Sequence, residues 1–188
     1  MAPNAKIFKA VLHIADVDRQ YYEDHSVTLA RHPSETDERM MVRLLAFARH
    51  AHEALSFGRG LSTEDEPALW QKDATGLIEV WIEVGLPDEK AIRQACGRAR
   101  LVCVYTYGGR PADQWWGQNA VALGRLNNLT VVNLSLEGSR ALASLAQRNM
   151  DLHCTIQDGE VLIGDGANAA QMEISMWKGA SAPVKRES

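Results

Sequence analysis

Three carboxylates in the first half of this chain have the types and spacing to gather a hard divalent cation. Asp73 precedes Gly76, and Glu83 lies ten positions later within LIEVWIEVG, Leu77–Gly85. Side chains of an extended strand alternate between its two faces. Ile78, Val80, Ile82 and Val84 therefore form an apolar face, and Glu79, Trp81 and Glu83 the opposite one. The third acid is Glu38. On a helix turning roughly 100° per residue it shares a face with Met41, Leu45 and His52. Its carboxylate is expected to point at the sheet, where a buried charge needs a partner. Three acids held together repel unless a cation neutralises them, and all-oxygen donors suit magnesium. Such an ion would polarise a scissile phosphate and activate an attacking water. Ion pairing competes with this chemistry. Asp73 can cap the turn before Gly76, Glu83 can pair with Arg93 or Arg98, and Glu38 with Arg59.

The elements that must position these acids follow from periodicity and punctuation. Lys6–Ile14 and Tyr21–Arg31 read as an antiparallel strand pair joined through Asp16, Asp18 and Arg19. Ser34 is the expected cap of a helix from about Glu35 to Leu55, with Glu35 and Asp37 in its first turn and Met41, Leu45 and Ala48 as its buried stripe. Leu55–Leu61 is a further strand, and 62–74 a polar loop. Pro87 opens a helix to about Arg98. The apolar run LVCVYTY at Leu101–Tyr107 suits a strand covered on both faces. Pro111–Leu126 and Ser135–Gln147 are helices, and Leu129–Leu134 a strand. Asp158-Gly159 between Leu152–Gln157 and Val161–Gly164 signals a tight hairpin, and Met172–Trp177 adds a strand. The class is α/β, an α+β mixed sheet flanked by helices with an antiparallel hairpin at each end. It forms one domain over residues 1–178, followed by a polar tail over 179–188.

Composition bounds the function. The chain has 188 residues, 46% hydrophobic and 23% charged, with a formal net charge of −4 and a pI near 5.9. An acidic balance argues against grip on duplex DNA by bulk electrostatics. Cys96, Cys103 and Cys154 are widely spaced and odd in number, as in a reduced protein. No apolar run reaches the length of a membrane span, and MAPNAKIFKAVLHIAD lacks the apolar stretch of a signal peptide. A cytoplasmic monomer without membrane association is expected.

Other constellations carry less. His50 and His52 point about 200° apart on a helix and cannot share one ion. The glycine pairs Gly58/Gly60 and Gly108/Gly109 lack phosphate-loop spacing. Trp115 and Trp116 cannot both face one core, and packing against the C-terminal hairpin accounts for them better than base stacking. Arg59, between two glycines, could approach a phosphate, and Tyr105 could line the rim of the acidic site.

Longer motifs make a family visible. LARHPSETDERMMVRLLAFARHA at residues 29–51, DEP at 65–67, WIEVGLPDEK at 81–90, VYTYG at 104–108, the Trp115-Trp116 pair and TIQDG at 155–159 resemble the YaeQ family of bacterial proteins. The likeness runs from about Lys6 to Trp177. It implies a single nuclease-like domain related to the PD-(D/E)xK, restriction-endonuclease-like fold, with core order helix, three strands, helix, strand. The acid of the first helix matches Glu38, the motif aspartate Asp73 and the (D/E)xK acid Glu83. These three would hold magnesium, with manganese able to substitute. The motif lysine position is Gly85 here, so the resemblance implies a cation from a neighbouring element. Lys90 is the candidate catalytic cation and Arg93 the reserve, with Arg59, Arg93 and Tyr105 as substrate contacts. The expected activity is a magnesium-dependent phosphodiesterase acting on nucleic acid. The alternative is a catalytically inactive binding or regulatory module on the same fold, linked to transcription antitermination.

Overall fold

In a computed structural model, which describes residues 4–59 and 65–181, ten strands join into one mixed sheet. In chain order the elements are β1 (Lys6–Asp16), β2 (Tyr21–Arg31), α1 (Asp37–Arg49), β3 (Leu55–Phe57), β4 (Leu69–Lys72), β5 (Ile78–Val84) and α2 (Glu89–Arg98). They continue with β6 (Ala99–Thr106), α3 (Arg110–Leu123), β7 (Leu129–Leu134), α4 (Leu136–Ala143), β8 (Asn149–Gln157), β9 (Glu160–Gly164) and β10 (Ala169–Lys178). The strand order is β2-β1-β8-β9-β10-β7-β6-β5-β4-β3.

Two half-sheets are welded by β10. Its first part, Ala169–Glu173, pairs with β9, and its second, from Ile174, pairs with β7. A register shift between Met176 and Lys178 accompanies the crossing, as a bulge bends a strand and increases its twist. The sheet is large and nearly closed, and α1 runs inside the curl. Nine of its residues in succession, Met40–Ala48, are buried. A helix buried all round requires packing partners on every side. They come from β1 (Leu12, Ile14), β5 (Ile82, Val84), β6 (Tyr105), β8 (Leu152, Cys154) and α4 (Leu142). A second cluster lies on the outer face of β5–β7, where Trp81, Val102, Val104 and Val131 meet Ile92 of α2 and Leu123 of α3. Both faces of β6 and β7 are thus covered, which explains the unbroken apolar run at Leu101–Tyr107.

Most elements fall where the sequence puts them, with instructive shifts. Thr36 caps α1, its Oγ1 accepting from Arg39 N at 3.1 Å, whereas the hydroxyl of the expected cap, Ser34, is held by His32 Nδ1 at 2.6 Å. The helix ends at Arg49 rather than near Leu55. The expected loop over 62–74 contains β4, which pairs antiparallel with both β3 and β5. Residues 60–64 lie outside the described residues. Ile78, at the end of β5 where β4 slips register, packs with the outer cluster, leaving Val80, Ile82 and Val84 on the inner face. Asp158 and Gly159 adopt φ of 52° and 78°, the left-handed pair of a type I′ hairpin turn. The Asp18 carboxylate accepts from both their backbone N–H groups, at 2.8 and 3.1 Å, tying the β1–β2 turn to the β8–β9 turn. Trp116 stacks on Trp177 of β10 at 5.6 Å, and Trp115 Nε1 donates to the Pro87 carbonyl, so both tryptophans serve packing. The start of the expected tail is pinned, with Ala180 N donating to Thr130 Oγ1 and Ser181 N to the Asn127 carbonyl. No described helix is long and apolar enough to cross a membrane.

Candidate functional site

Asp73 occupies the β4–β5 turn. Its Oδ1 accepts from Thr75 N at 2.8 Å, Thr75 Oγ1 at 2.7 Å and Leu77 N at 3.0 Å. These bonds hold its carboxyl below the usual range. An aspartate folding back on its own turn is a local device that competes with any ligand role. Glu83 stands near the far end of β5. The five residue steps from Ile78 to Glu83 span about 17 Å at strand rise, beyond any shared ion.

Glu38 is half-buried on α1 and accepts from Ser139 Oγ of α4 at 2.6 Å. It faces the α1–α4 contact rather than Asp73 or Arg59. Glu83 follows Trp81 on the outer face of β5, opposite the row that packs on α1, and accepts from Trp81 Nε1 at 2.8 Å. The expected convergence of Glu38, Asp73 and Glu83 is therefore corrected by the geometry. Among the described residues, these three do not bring their carboxylate oxygens together as one ligand set. The cause lies in topology: one acid sits in a hairpin turn, one faces another helix, and one sits on the outer side of the sheet.

The other sequence candidates also find ordinary partners. Lys90 is exposed near the start of α2. Arg93 pairs with Glu89 one turn earlier on the same helix. Arg59 Nε lies 3.5 Å from Glu66. Tyr105 does not line a rim. It is fully buried on the inner face, where its hydroxyl accepts from Arg49 at 2.9 Å and meets His50 Nε2 at 2.8 Å. Burial pushes the Tyr105 hydroxyl above its ordinary range. Burial and the Arg49 charge bring the His50 imidazole down to about 3. His50 is thus neutral at pH 7, and the tyrosine hydroxyl donates to it.

What remains around Glu83 is a groove of about 470 Å³ between β5 and α2, lined by Trp81, Glu83, Gln94, Arg98 and Asp65 among others. Burial raises the Glu83 carboxyl, a rise that the Trp81 N–H and Arg39 only partly oppose. Arg39 of α1 is the cation whose field reaches Glu83, a role the sequence assigned to Lys90 or Arg93. Its side chain is 16% exposed and already paired with Glu35 at 2.7 Å. Arg98, by contrast, lies over the Trp81 ring at 5.0 Å and donates to the Asp65 carbonyl. Among the described residues no lysine or arginine forms an ion pair with Glu83. A half-buried carboxylate without a direct cation is the kind of group that sites employ.

The arrangement of elements recurs in known proteins. A family model described as YaeQ protein matches residues 1–174. The chain belongs to the YaeQ family. The YaeQ protein of Escherichia coli (strain K12) is 44% identical over 178 residues, covering 95% of this chain and 98% of that protein. The crystal structure of YaeQ protein from Xanthomonas axonopodis pv. citri superposes with a TM-score of 0.91 at 47% identity, covering 95% of this chain and 99% of that one. The Pseudomonas syringae YaeQ protein gives 0.89 at 35% identity over 93% and 97%. The nearly closed sheet with its enclosed helix is accordingly shared by YaeQ chains of different sequence.

Proposed function

We propose that this YaeQ protein is a binding module without phosphodiester hydrolysis, and that its groove beside Glu83 takes a cationic group of a polypeptide partner. The observation that carries this conclusion is the isolation of Glu83. It is half-desolvated and, among the described residues, its side chain is bonded only to an indole N–H, while the acids that would complete a metal centre are engaged elsewhere. A partly dehydrated carboxylate attracts a charged donor more strongly than one in bulk water. The overall charge of −4 steers basic partners toward the surface and nucleic-acid backbones away. The scaffold retains the run α1, β3, β4, β5, α2, β6. That order supports descent from a nuclease-like fold whose site has been put to binding.

A second reading has one observation in its favour. Arg39 stands close enough to Glu83 to oppose the rise that burial gives its carboxyl, and could replace the lysine absent at Gly85. A magnesium-dependent phosphodiesterase built on Glu38, Glu83 and Arg39 would then need Asp73, or another donor, to move into place.

Trp81 reports directly on the groove because its ring contacts Arg98 and its N–H bonds Glu83. Titration of an oligo-arginine peptide should give a saturable change in tryptophan fluorescence that is absent in Trp81→Phe. Glu83→Gln should weaken it at least tenfold, and Asp73→Asn should leave it unchanged. Equal affinity in wild type and Glu83→Gln, or a response to a single-stranded oligonucleotide in place of the peptide, would refute the assignment.

A further inference from the structure

The outer face of β1, β2 and β8 carries a cluster independent of the Glu83 groove. His13 of β1 is paired across the antiparallel ladder with Asp24 of β2 and across the parallel ladder with His153 of β8. The two imidazoles stack with ring centroids 4.5 Å apart. Asp151 lies two residues before His153, hence on the same face. His13 Nδ1 is 2.9 Å from Asp24 Oδ1, and its Nε2 is 2.9 Å from Asp151 Oδ1. One potential ligand atom from each of His13, Asp151 and His153 lies within 4.8 Å of the other two.

We propose that His13, His153 and Asp151 form a surface site for a divalent transition ion of the zinc type, with Asp24 as the positioning residue for His13. Two ligand atoms at about 2.0–2.1 Å from tetrahedral zinc stand roughly 3.3 Å apart. The 2.9 Å between His13 Nε2 and Asp151 Oδ1 and the 4.8 Å limit on the whole set need only side-chain rotation to meet that spacing. Two imidazoles and one carboxylate favour zinc, cobalt or nickel over magnesium and calcium, which take all-oxygen sets. The Nδ1 contact to Asp24 is the familiar outer carboxylate of metal-bound histidines. It holds a proton on Nδ1, so that Nε2, which without an ion donates to Asp151, is the nitrogen that can exchange its proton for the ion.

The backbone beneath the cluster is rigid. β1 holds a partner on each side over His13, with Leu12 and Ile14 buried in the core beneath. Ligands standing on paired strands are positioned more accurately than ligands on loops. The side chains themselves are open to solvent, that of Asp151 being 70% exposed, and the adjoining depression between Tyr22, Asp24 and Thr155 measures about 590 Å³. An ion with three protein ligands keeps a coordination position for water or for a donor from another molecule.

Calorimetric titration of Zn2+ into the full chain tests the site, with Mg2+ in parallel. The expected result is one saturable Zn2+ site with no Mg2+ counterpart, weakened at least tenfold in both His153→Gln and Asp151→Asn. The control His52→Gln, at an exposed histidine elsewhere, should match wild type. Both site variants alter exposed side chains and should keep the wild-type circular dichroism spectrum. Cobalt substitution gives a second readout: the intense visible bands of four- or five-coordinate Co2+ should appear in wild type and fade in His153→Gln. Absence of saturable Zn2+ binding in wild type, or equal affinity in wild type and both site variants, would overturn the proposal.

Discussion

Replacing Glu35 by alanine is expected to cost about 3–5 kcal/mol of folding stability, the range for stripping one partner from a buried ion pair. Glu35 precedes α1, and its carboxylate receives Arg43 Nε and Nη2, each at 2.7 Å, in a two-point fork. Both side chains are only 1% exposed. Arg43 also donates to the Ala30 carbonyl at the end of β2 and lies 5.8 Å from the Phe57 ring of β3. One guanidinium thereby links the two edge strands to the enclosed helix. Burial pulls Arg43 below its ordinary range, while Glu35 holds it charged. Without Glu35 the guanidinium would keep its desolvation and lose its counter-charge. Urea unfolding at pH 7 checks the value. The double change Glu35→Ala with Arg43→Met should recover much of the loss, because an apolar residue of similar length leaves no buried charge at position 43, while the more exposed Arg39 loses only its contact with Glu35. Equal destabilisation in single and double variants would show that packing around Arg43, rather than its charge, sets the cost.

The second large effect is acid lability centred on His50. Its folded pKa of about 3 lies below the unfolded value near 6.5. The unfolded chain therefore takes up the proton first, and stability falls as pH drops through the window between those values. Linkage puts the loss from this one group at about 2 kcal/mol by pH 5, since each unit is worth about 1.4 kcal/mol. His50→Gln keeps an acceptor for the Tyr105 hydroxyl and removes the titration. The difference in urea stability between wild type and His50→Gln should shift by that amount between pH 7.5 and pH 5, to the disadvantage of wild type. A constant difference across the window would mean that His50 is protonated in the folded protein. His13 runs the other way. Its contacts with Asp24 and Asp151 raise its pKa against partial desolvation, so its contribution is present at low pH and fades as pH rises.

Local signals in the sequence carried most of the strands and helices, while long-range geometry decided the site. The β1–β2 pair, the Asp158-Gly159 hairpin and the proline-led start of α3 are written in residues a few positions apart, whereas α2 begins at Glu89, capped by Asp88 rather than opened by Pro87. The alternation of β5 correctly separated Ile82 and Val84 from Trp81 and Glu83. It gave no indication of which helix each face would meet. The outer face carrying Glu83 meets α2, whereas Glu38 belongs to a helix inside the curl. Asp73 has the composition of a metal ligand and the position of a turn former. Its neighbours Thr75 and Leu77 supply the donors that decide between the two. The Glu35–Arg43 pair escaped because Glu35 lies just outside the helix that carries Arg43. The cluster of His13, Asp24, Asp151 and His153 escaped because β1 and β8 meet only after the chain has built the intervening sheet. His13 and Asp151 are 138 positions apart, and no local spacing records such a pairing.

The most direct measurement of the central claim is calorimetric titration of Mg2+ and Mn2+ into wild type and Glu83→Ala, followed by incubation of both with single- and double-stranded DNA and RNA under the same conditions. A binding module whose acids are dispersed should show no saturable Mg2+ heat that depends on Glu83, and no metal-dependent cleavage of any substrate. Saturable Mg2+ binding lost in Glu83→Ala, together with cleavage by wild type alone, would contradict the account and restore the carboxylates to a catalytic role.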